Sequence, residues 1–253
     1  MLEVRGLVKR YRTTPVVNDV SFSVRRGEVT GYLGPNGSGK STTVKMITGL
    51  IEPSAGEVLL DGQNVLKDLV SFRRRLGYVP EEAILYTYMT GFEYLQLIGR
   101  LRGIGERAIL RKAKDLLELF GLGVYRHGLI STYSKGMKQR VLIAAALIHD
   151  PDVLILDEPL SGMDVTSAQL FKHLLDELAS RGKMILYISH VLEVVEKVCA
   201  RVIILHKGRV MADDSVERLR SLMHLPSLER IFAELVEERD LKSTARAIVT
   251  AMA

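Results

Sequence analysis

Nine consecutive residues constrain this chain more than any others: Gly34-Pro35-Asn36-Gly37-Ser38-Gly39-Lys40-Ser41-Thr42 meets the pattern G-x-x-x-x-G-K-[ST] at every fixed position. The run follows an apolar segment, Val29 to Leu33, that reads as a buried strand, and it opens a helical stretch from Lys40 to Leu50. A strand, a glycine loop and a helix in that order predict an α/β fold with a mainly parallel sheet. Glycines at 34, 37 and 39 let the backbone curl so that successive N–H groups face one anion, and the positive end of the following helix adds to them. Lys40 would bring a point charge to the β- and γ-phosphates of a nucleotide, and the Ser41 hydroxyl is placed to ligate Mg²⁺.

A second apolar strand, Val153-Leu154-Ile155-Leu156, ends in Asp157-Glu158. In an open parallel sheet this puts both carboxylates at the carboxyl edge beside the glycine loop. Asp157 is then the candidate for holding Mg²⁺, and Glu158 the candidate general base for a water attacking the γ-phosphate. Met184 to Ile188 reads as a further strand, so His190 should reach the same edge; taken alone, a histidine there is a helix cap or a surface residue.

Around these points the pattern is regular. Leu2-Val4, Val16-Val17 and Val20-Phe22 read as paired antiparallel strands, residues 56–62 as a hairpin returning to them, and Leu76 to Val79 as a strand closed by Pro80. After Pro80 the spacing becomes helical: Ile109, Ala113, Leu116, Leu117 and Phe120 line one face, with Arg111, Lys112, Lys114 and Asp115 opposite. Residues 81–150 are therefore expected to form a mostly helical lobe. From Val153 strands and helices alternate again, with a helix from Asp164 to Ser180 stopped by Gly182, a helix after His190 and a strand at Val202 to Leu205. Beyond Val216 the tail reads as helical, with Leu228, Ile231, Phe232 and Leu235 as its apolar positions.

Composition bounds the setting. A single cysteine, Cys199, rules out a disulfide within the chain and points to a reducing compartment. The longest apolar run, Val141 to Ile148, is far short of the ~20 residues of a membrane span. Met1-Leu2-Glu3-Val4-Arg5 lacks the pattern of a signal peptide, so a cytoplasmic location is expected and any pore must belong to another polypeptide. A net charge of +5 and a pI near 9.3 permit nucleic acid as a partner without requiring it, and none is expected.

Just upstream of the second strand lies Tyr133-Ser134-Lys135-Gly136-Met137-Lys138-Gln139-Arg140, where Ser134 can cap a helix start and the N–H groups near Gly136 offer an anion site. With the glycine loop and Asp157-Glu158, in that order and over nearly the full length, this run resembles the ATP-binding subunit of an ABC transporter. The resemblance implies a P-loop NTPase core (residues 1–80 and 151–215) with an antiparallel β part, an inserted helical lobe (81–150) and a helical tail (216–253), the ATPase domain spanning 1–238. It implies ATP and Mg²⁺ as ligands and ATP hydrolysis as the activity. It assigns Tyr11 to adenine stacking, residues 34–42 to the phosphates, Glu81 to Mg²⁺ and the attacking water, and His190 to the γ-phosphate. Ser134 and Gly136, with Asp164 in the segment Leu160 to Asp164, are assigned to the nucleotide of a second subunit in a head-to-tail dimer. A separate transmembrane permease is the further partner, with the chain peripheral on the cytoplasmic face.

Three positions depart from the family pattern: Glu81 stands where glutamine is usual, Lys135 where glycine is common, and Tyr133 where leucine is common. Lys135 could reach a phosphate oxygen or be a solvated surface charge. Variants of this kind resemble those of export-type transporters, while an importer, or a soluble ABC ATPase acting on nucleic acid or the ribosome, are the alternatives. The stretch Glu81 to Tyr94, with Tyr86, Tyr88, Met89 and Phe92, reads equally as a docking surface for the permease or as packing inside the lobe. Arg73-Arg74-Arg75 reads as a solvated helix face or a contact to lipid headgroups.

Overall fold

The computed structural model describes residues 1–236 and Thr250, so the expected helical tail is tested only to residue 236, together with Thr250. Two sheets organise the chain. The first is antiparallel, in the order β2-β1-β4-β5, from β1 (Leu2–Tyr11), β2 (Thr14–Val24), β4 (Ala55–Leu60) and the short β5 (Gln63–Asn64). The second runs β10-β9-β3-β8-β7-β6, from β3 (Glu28–Leu33), β6 (Leu76–Val79), β7 (Val153–Asp157), β8 (Met184–Ile188), β9 (Arg201–His206) and β10 (Arg209–Ser215). Its strands are parallel apart from β10, which pairs antiparallel with β9 and closes that edge.

The central strands are buried on both faces, which is why they read as unbroken apolar runs rather than alternating ones. Val153 and Ile155 face a core shared with α1 (Lys40–Ile47) and the antiparallel sheet. Leu154 and Leu156 face the other core, with α5 (Lys135–Leu147), α6 (Val165–Ser180), α7 (Leu192–Val198), α8 (Val216–Met223) and α9 (Leu228–Val236). Each fully buried aliphatic side chain of this kind contributes roughly 1.5–3 kcal/mol relative to exposure.

Between β6 and β7 the chain forms α3 (Gly91–Leu101), α4 (Glu106–Leu119) and α5. A reciprocal capping box of Thr90 and Glu93 starts α3, and Ile109, Ala113 and Leu117 form the buried stripe of α4. Helix α5 is apolar nearly all round from Val141 to Ala146, because it packs at once on α3, α4 and β6. The stretch 81–94 divides between its two readings. Met89, Phe92 and Tyr94 pack into the core, whereas Ile84, Tyr86 and Tyr88 are exposed.

Sequence reasoning overran the first helix, since α1 ends at Ile47 and Gly49 turns the chain with φ +67°. It did not anticipate β10, and it read only Arg73-Arg74-Arg75 as a helix face, where α2 runs over Leu69–Arg75, is capped by Asp68 and buries only Phe72. Of the three arginines on α2, Arg75 is paired with Asp61 at 2.7 Å and Asp152 at 2.6 Å, Arg73 donates to the Gly49 carbonyl, and Arg74 is exposed. No helix among the described residues is long and apolar enough to cross a membrane.

The closest approach of α5 to the sheet is at Gly77 of β6, where a Cβ would lie 2.4 Å from the Ala146 carbonyl oxygen and 2.7 Å from Leu154. Gly77→Ala should therefore force helix and strand apart and cost about 1–3 kcal/mol, read as a lower urea midpoint at unchanged m-value.

Candidate functional site

Three adjacent strands set the site through their register. Tyr32 of β3 and Asp157 of β7 are both level with Ile188 of β8. The residues that leave those strands, Gly34 onward, Glu158, and Ser189-His190, therefore emerge side by side at one edge of the sheet. Asn36, Gly37, Gly39, Lys40, Ser41, Thr42, Glu81, Asp157, Glu158 and His190 line a single cavity of about 180 Å³ there. An adjoining cavity of about 300 Å³ continues past Gly34, Pro35 and Asn36 to Glu81, Ser189 and His190.

The loop is shaped for close approach. A Cβ on Gly34 would lie 2.4 Å from the Leu205 carbonyl oxygen, so the chain can pass β9 only as glycine. Gly39, at φ +104°, turns the backbone directly into α1 without a side-chain cap, leaving the first N–H groups of that helix open toward the cavity. The Lys40 ammonium lies folded over the loop on the carbonyls of Gly34 (2.6 Å) and Pro35 (3.1 Å). Burial lowers its pKa, while Asp157, Glu158 and Glu81 act to hold the charge. Ser38, which sequence reasoning placed on the ligand, has a buried Oγ with no hydrogen-bond partner.

The acid side is under electrostatic tension. Asp157 is only 6% exposed, and among the described residues no hydrogen-bond donor meets its carboxylate. Burial, then Glu81 and Glu158, push its pKa up to about 6. A cation at this spot would relieve that cost, and the set available, a hydroxyl from Ser41 with carboxylates from Asp157 and Glu81, is the hard oxygen chemistry that suits Mg²⁺. Among the described residues no three His, Cys, Asp or Glu side chains form a ready metal cage, as expected where most ligands are phosphate oxygens and water. The donor set and the uncompensated carboxylate thus fit a Mg²⁺–nucleotide.

Glu158 is held differently. Its backbone sits at φ +47°, a costly conformation for a non-glycine residue, and this directs its carboxylate back to the end of β8. Oε2 accepts from Ser189 Oγ at 3.0 Å, while Oε1 accepts from the His190 N–H at 2.7 Å and meets His190 Nδ1 at 2.6 Å. Ser189 was not anticipated from sequence; its place between a strand end and a histidine was the available signal. Val16 of β2, which lines the same cavity, carried no signal at all.

Other expected residues lie elsewhere. Tyr11 stands at the end of β1, half-exposed, with the Lys9 ammonium 5.6 Å from its ring, and does not line either cavity. Ser134 caps α5 by accepting from Met137 N at 3.2 Å, and Asp164 caps α6 by accepting from Ser167 N at 2.8 Å. These two caps form one surface away from the cavity: a Cβ on Gly136 would lie 2.5 Å from the Gly162 carbonyl oxygen, and the Lys135 stem covers Gly162. Tyr133 has a packing explanation, since its hydroxyl donates to the Tyr125 carbonyl at 2.6 Å and its ring abuts Gly91.

Fold and cradle together define a P-loop nucleoside triphosphatase. The family model described as ABC transporter matches residues 17–161. Among curated proteins, the chain is similar to the ABC transporter ATP-binding protein NatA of Bacillus subtilis, 39% identical over 229 residues that cover 90% of this chain and 93% of that protein. It is also 39% identical to the Nod factor export ATP-binding protein I of Burkholderia lata, over 86% of this chain and 72% of the relative. Among solved structures, an ATP binding subunit of an ABC transporter superposes with a TM-score of 0.88 at 35% identity, covering 93% of this chain and 99% of the other. A dimeric post-hydrolysis state of the ATP-binding cassette MJ0796, bound to ADP and Pi, superposes with a TM-score of 0.79 at 25% identity, covering 85% and 98%. The chain belongs to the ABC transporter family; it is an ATP-binding subunit, and its activity is ATP hydrolysis.

The tension at Asp157 has a measurable consequence. Because its pKa rises from 3.8 unfolded to about 6 folded, the folded protein holds this proton more tightly, so the stabilisation it gives is full below the lower value and is lost as pH rises through the upper one. Asp157→Asn, which cannot ionise, should raise the stability of the nucleotide-free protein at pH 8 by about 1–3 kcal/mol and have little effect at pH 4, as read from thermal melts at both pH values.

Proposed function

We propose that this chain powers export of a substrate through a separate membrane permease, working as a head-to-tail pair of ATPase subunits on the cytoplasmic face. The observation that carries the reading is the convergence of Lys40, Ser41, Glu81, Asp157, Glu158 and His190 on one cavity beside an open helix N-terminus. The loop of residues 34–42 holds the phosphates through its N–H groups, and Lys40 leaves the Gly34 and Pro35 carbonyls to meet the β- and γ-phosphates. Ser41, Asp157 and Glu81 would hold Mg²⁺, which when bound would neutralise charge on the phosphate oxygens. Glu158 accepts a proton from the attacking water, and His190, already on its carboxylate, steadies that carboxylate and reaches toward the γ-phosphate. Tyr11 stacks on the adenine. Glu81 makes this site more acidic than an amide would, which strengthens its need for the cation.

The pairing is supported by where the Ser134 cap lies. The N-terminus of α5 has no acidic side chain in its first turn, which suits an anion, and its residues do not line the chain's own cradle. A second copy turned head to tail brings Ser134 and Gly136, with the neighbouring Asp164 segment, to the other copy's nucleotide. The dimeric relative bound to ADP and Pi supports that arrangement, and the Nod factor export relative supports outward transport. The permease docks on the helical lobe, where Ile84, Tyr86 and Tyr88 stand exposed, and at the groove that Val70, Arg73, Arg74, Ile98, Leu101 and Arg102 line.

Glu158→Gln should retain binding of a fluorescent ATP analogue, slow turnover by roughly 10²- to 10⁴-fold, and drive the protein to a dimer in Mg·ATP by size-exclusion chromatography. Near-normal turnover would remove Glu158 from its role, and a strictly monomeric variant would remove the pair. Tyr88→Ala combined with Leu101→Ala should leave turnover of the isolated subunit within about twofold while membrane-protein co-purification falls by at least about tenfold, the loss of an interface anchor.

A further inference from the structure

Two helices near the carboxyl end, α8 and α9, stand on the helix that follows His190. Helix α7 starts at Leu192 without a side-chain cap hydrogen bond, its start joined to the site by Ser189 Oγ, which accepts from the Val191 N–H at 3.1 Å. Its Glu196 carboxylate reaches both neighbours through a single oxygen: Oε1 accepts from the Arg220 guanidinium of α8 and from the Leu228 N–H that opens α9, the latter at 3.2 Å. Glu196 thus caps α9 from another helix, with its negative charge at the positive end. Leu228 and Ile231 of α9 are fully buried beneath this cap. One turn on, the Phe232 ring forms a wall of the cavity of about 300 Å³ that also holds Pro35, Glu81, Ser189, His190 and Leu192.

His190 itself is loosely held, its side chain 72% exposed and, among the described residues, tied to Glu158 alone. An exposed side chain surrenders rotamer entropy to keep one pose, and that cost falls when its backbone is fixed by packing. We infer that α8 and α9 form a brace that positions His190 against Glu158, with Phe232 as the positioning residue at the cavity wall and Glu196 as the tie that seats the brace on α7. This places the C-terminal helices within the hydrolytic machinery, and it rests on the reading of His190 and Glu158 given above.

The test uses the full chain with Phe232→Ala, Phe232→Leu and Glu196→Gln, reading steady-state ATP turnover and the ¹H–¹³C signal of the His190 ring, assigned through His190→Gln. Phe232→Ala should lower kcat about five- to twentyfold with KM for ATP within about twofold, and should shift or broaden the His190 signal. Phe232→Leu should restore both to within about twofold of the parent in rate, and Glu196→Gln, which loosens the tie without opening a cavity, should give the same two changes in smaller degree. An unmoved His190 signal overturns the brace, whether or not the rate falls. A signal that moves while kcat holds sustains the brace and overturns instead the part given to His190 in hydrolysis.

Discussion

The level register of β3, β8 and β7 is the constraint on which the rest depends. Parallel pairing sets Tyr32, Ile188 and Asp157 in one row, and the glycine loop, Glu158 and His190 depart from the residue or two beyond it. A slip of one residue in any of these strands would turn the departing side chain to the opposite face and separate loop, acids and histidine. Both faces of the sheet are sealed by apolar cores, so such a slip would also expose a full set of aliphatic side chains. The geometry of the site is therefore enforced by the burial of Val153 to Leu156 and Met184 to Ile188, residues that never touch a ligand.

Within that frame the site is poorly satisfied on its own. Among the described residues Asp157 is buried without a donor and Ser38 Oγ has no partner, Glu158 holds a left-handed backbone, and Lys40 lies on carbonyls of its own loop. Each is a small cost borne by the two cores, and the uncompensated carboxylate and the open N–H groups are what a polyanion with a divalent cation would satisfy. The C-terminal edge of the sheet is thus prepared for a ligand whose charges are the complement of its own.

Much of this was legible in the residues. Leu76–Val79 and Met184–Ile188 are strands at the boundaries their apolar runs predict, and Asp164 caps a helix ending at Ser180, as expected. These signals are local: buried strands are apolar throughout, and caps need one side chain in a fixed place. Strand β10 was missed because Asp213, Asp214 and Ser215 interrupt its apolar residues and none of its side chains is fully buried, and the start of α2 because a seven-residue helix with one buried side chain has no periodicity to read. The grip of Ser189 on Glu158 and of Glu196 on Leu228 joins residues more than thirty positions apart, which no short-range pattern encodes. Tyr11, Ser134, Gly136 and Asp164 were assigned to the nucleotide from resemblance, and none of them lines the cavity shared by Lys40, Ser41, Glu81, Asp157, Glu158 and His190.

The contact between Gly136 and the Gly162 carbonyl has a mechanical meaning. Segment 158–164 is short and begins at the acid that would take up a proton, so any shift of that acid is transmitted along a few peptide units to the tip of α5. With no side chain at 136 to act as a cushion, the two backbones behave like meshed teeth. The strand end that carries Glu158 is thereby joined to the tip of α5 by direct backbone contact, with nothing compressible between them.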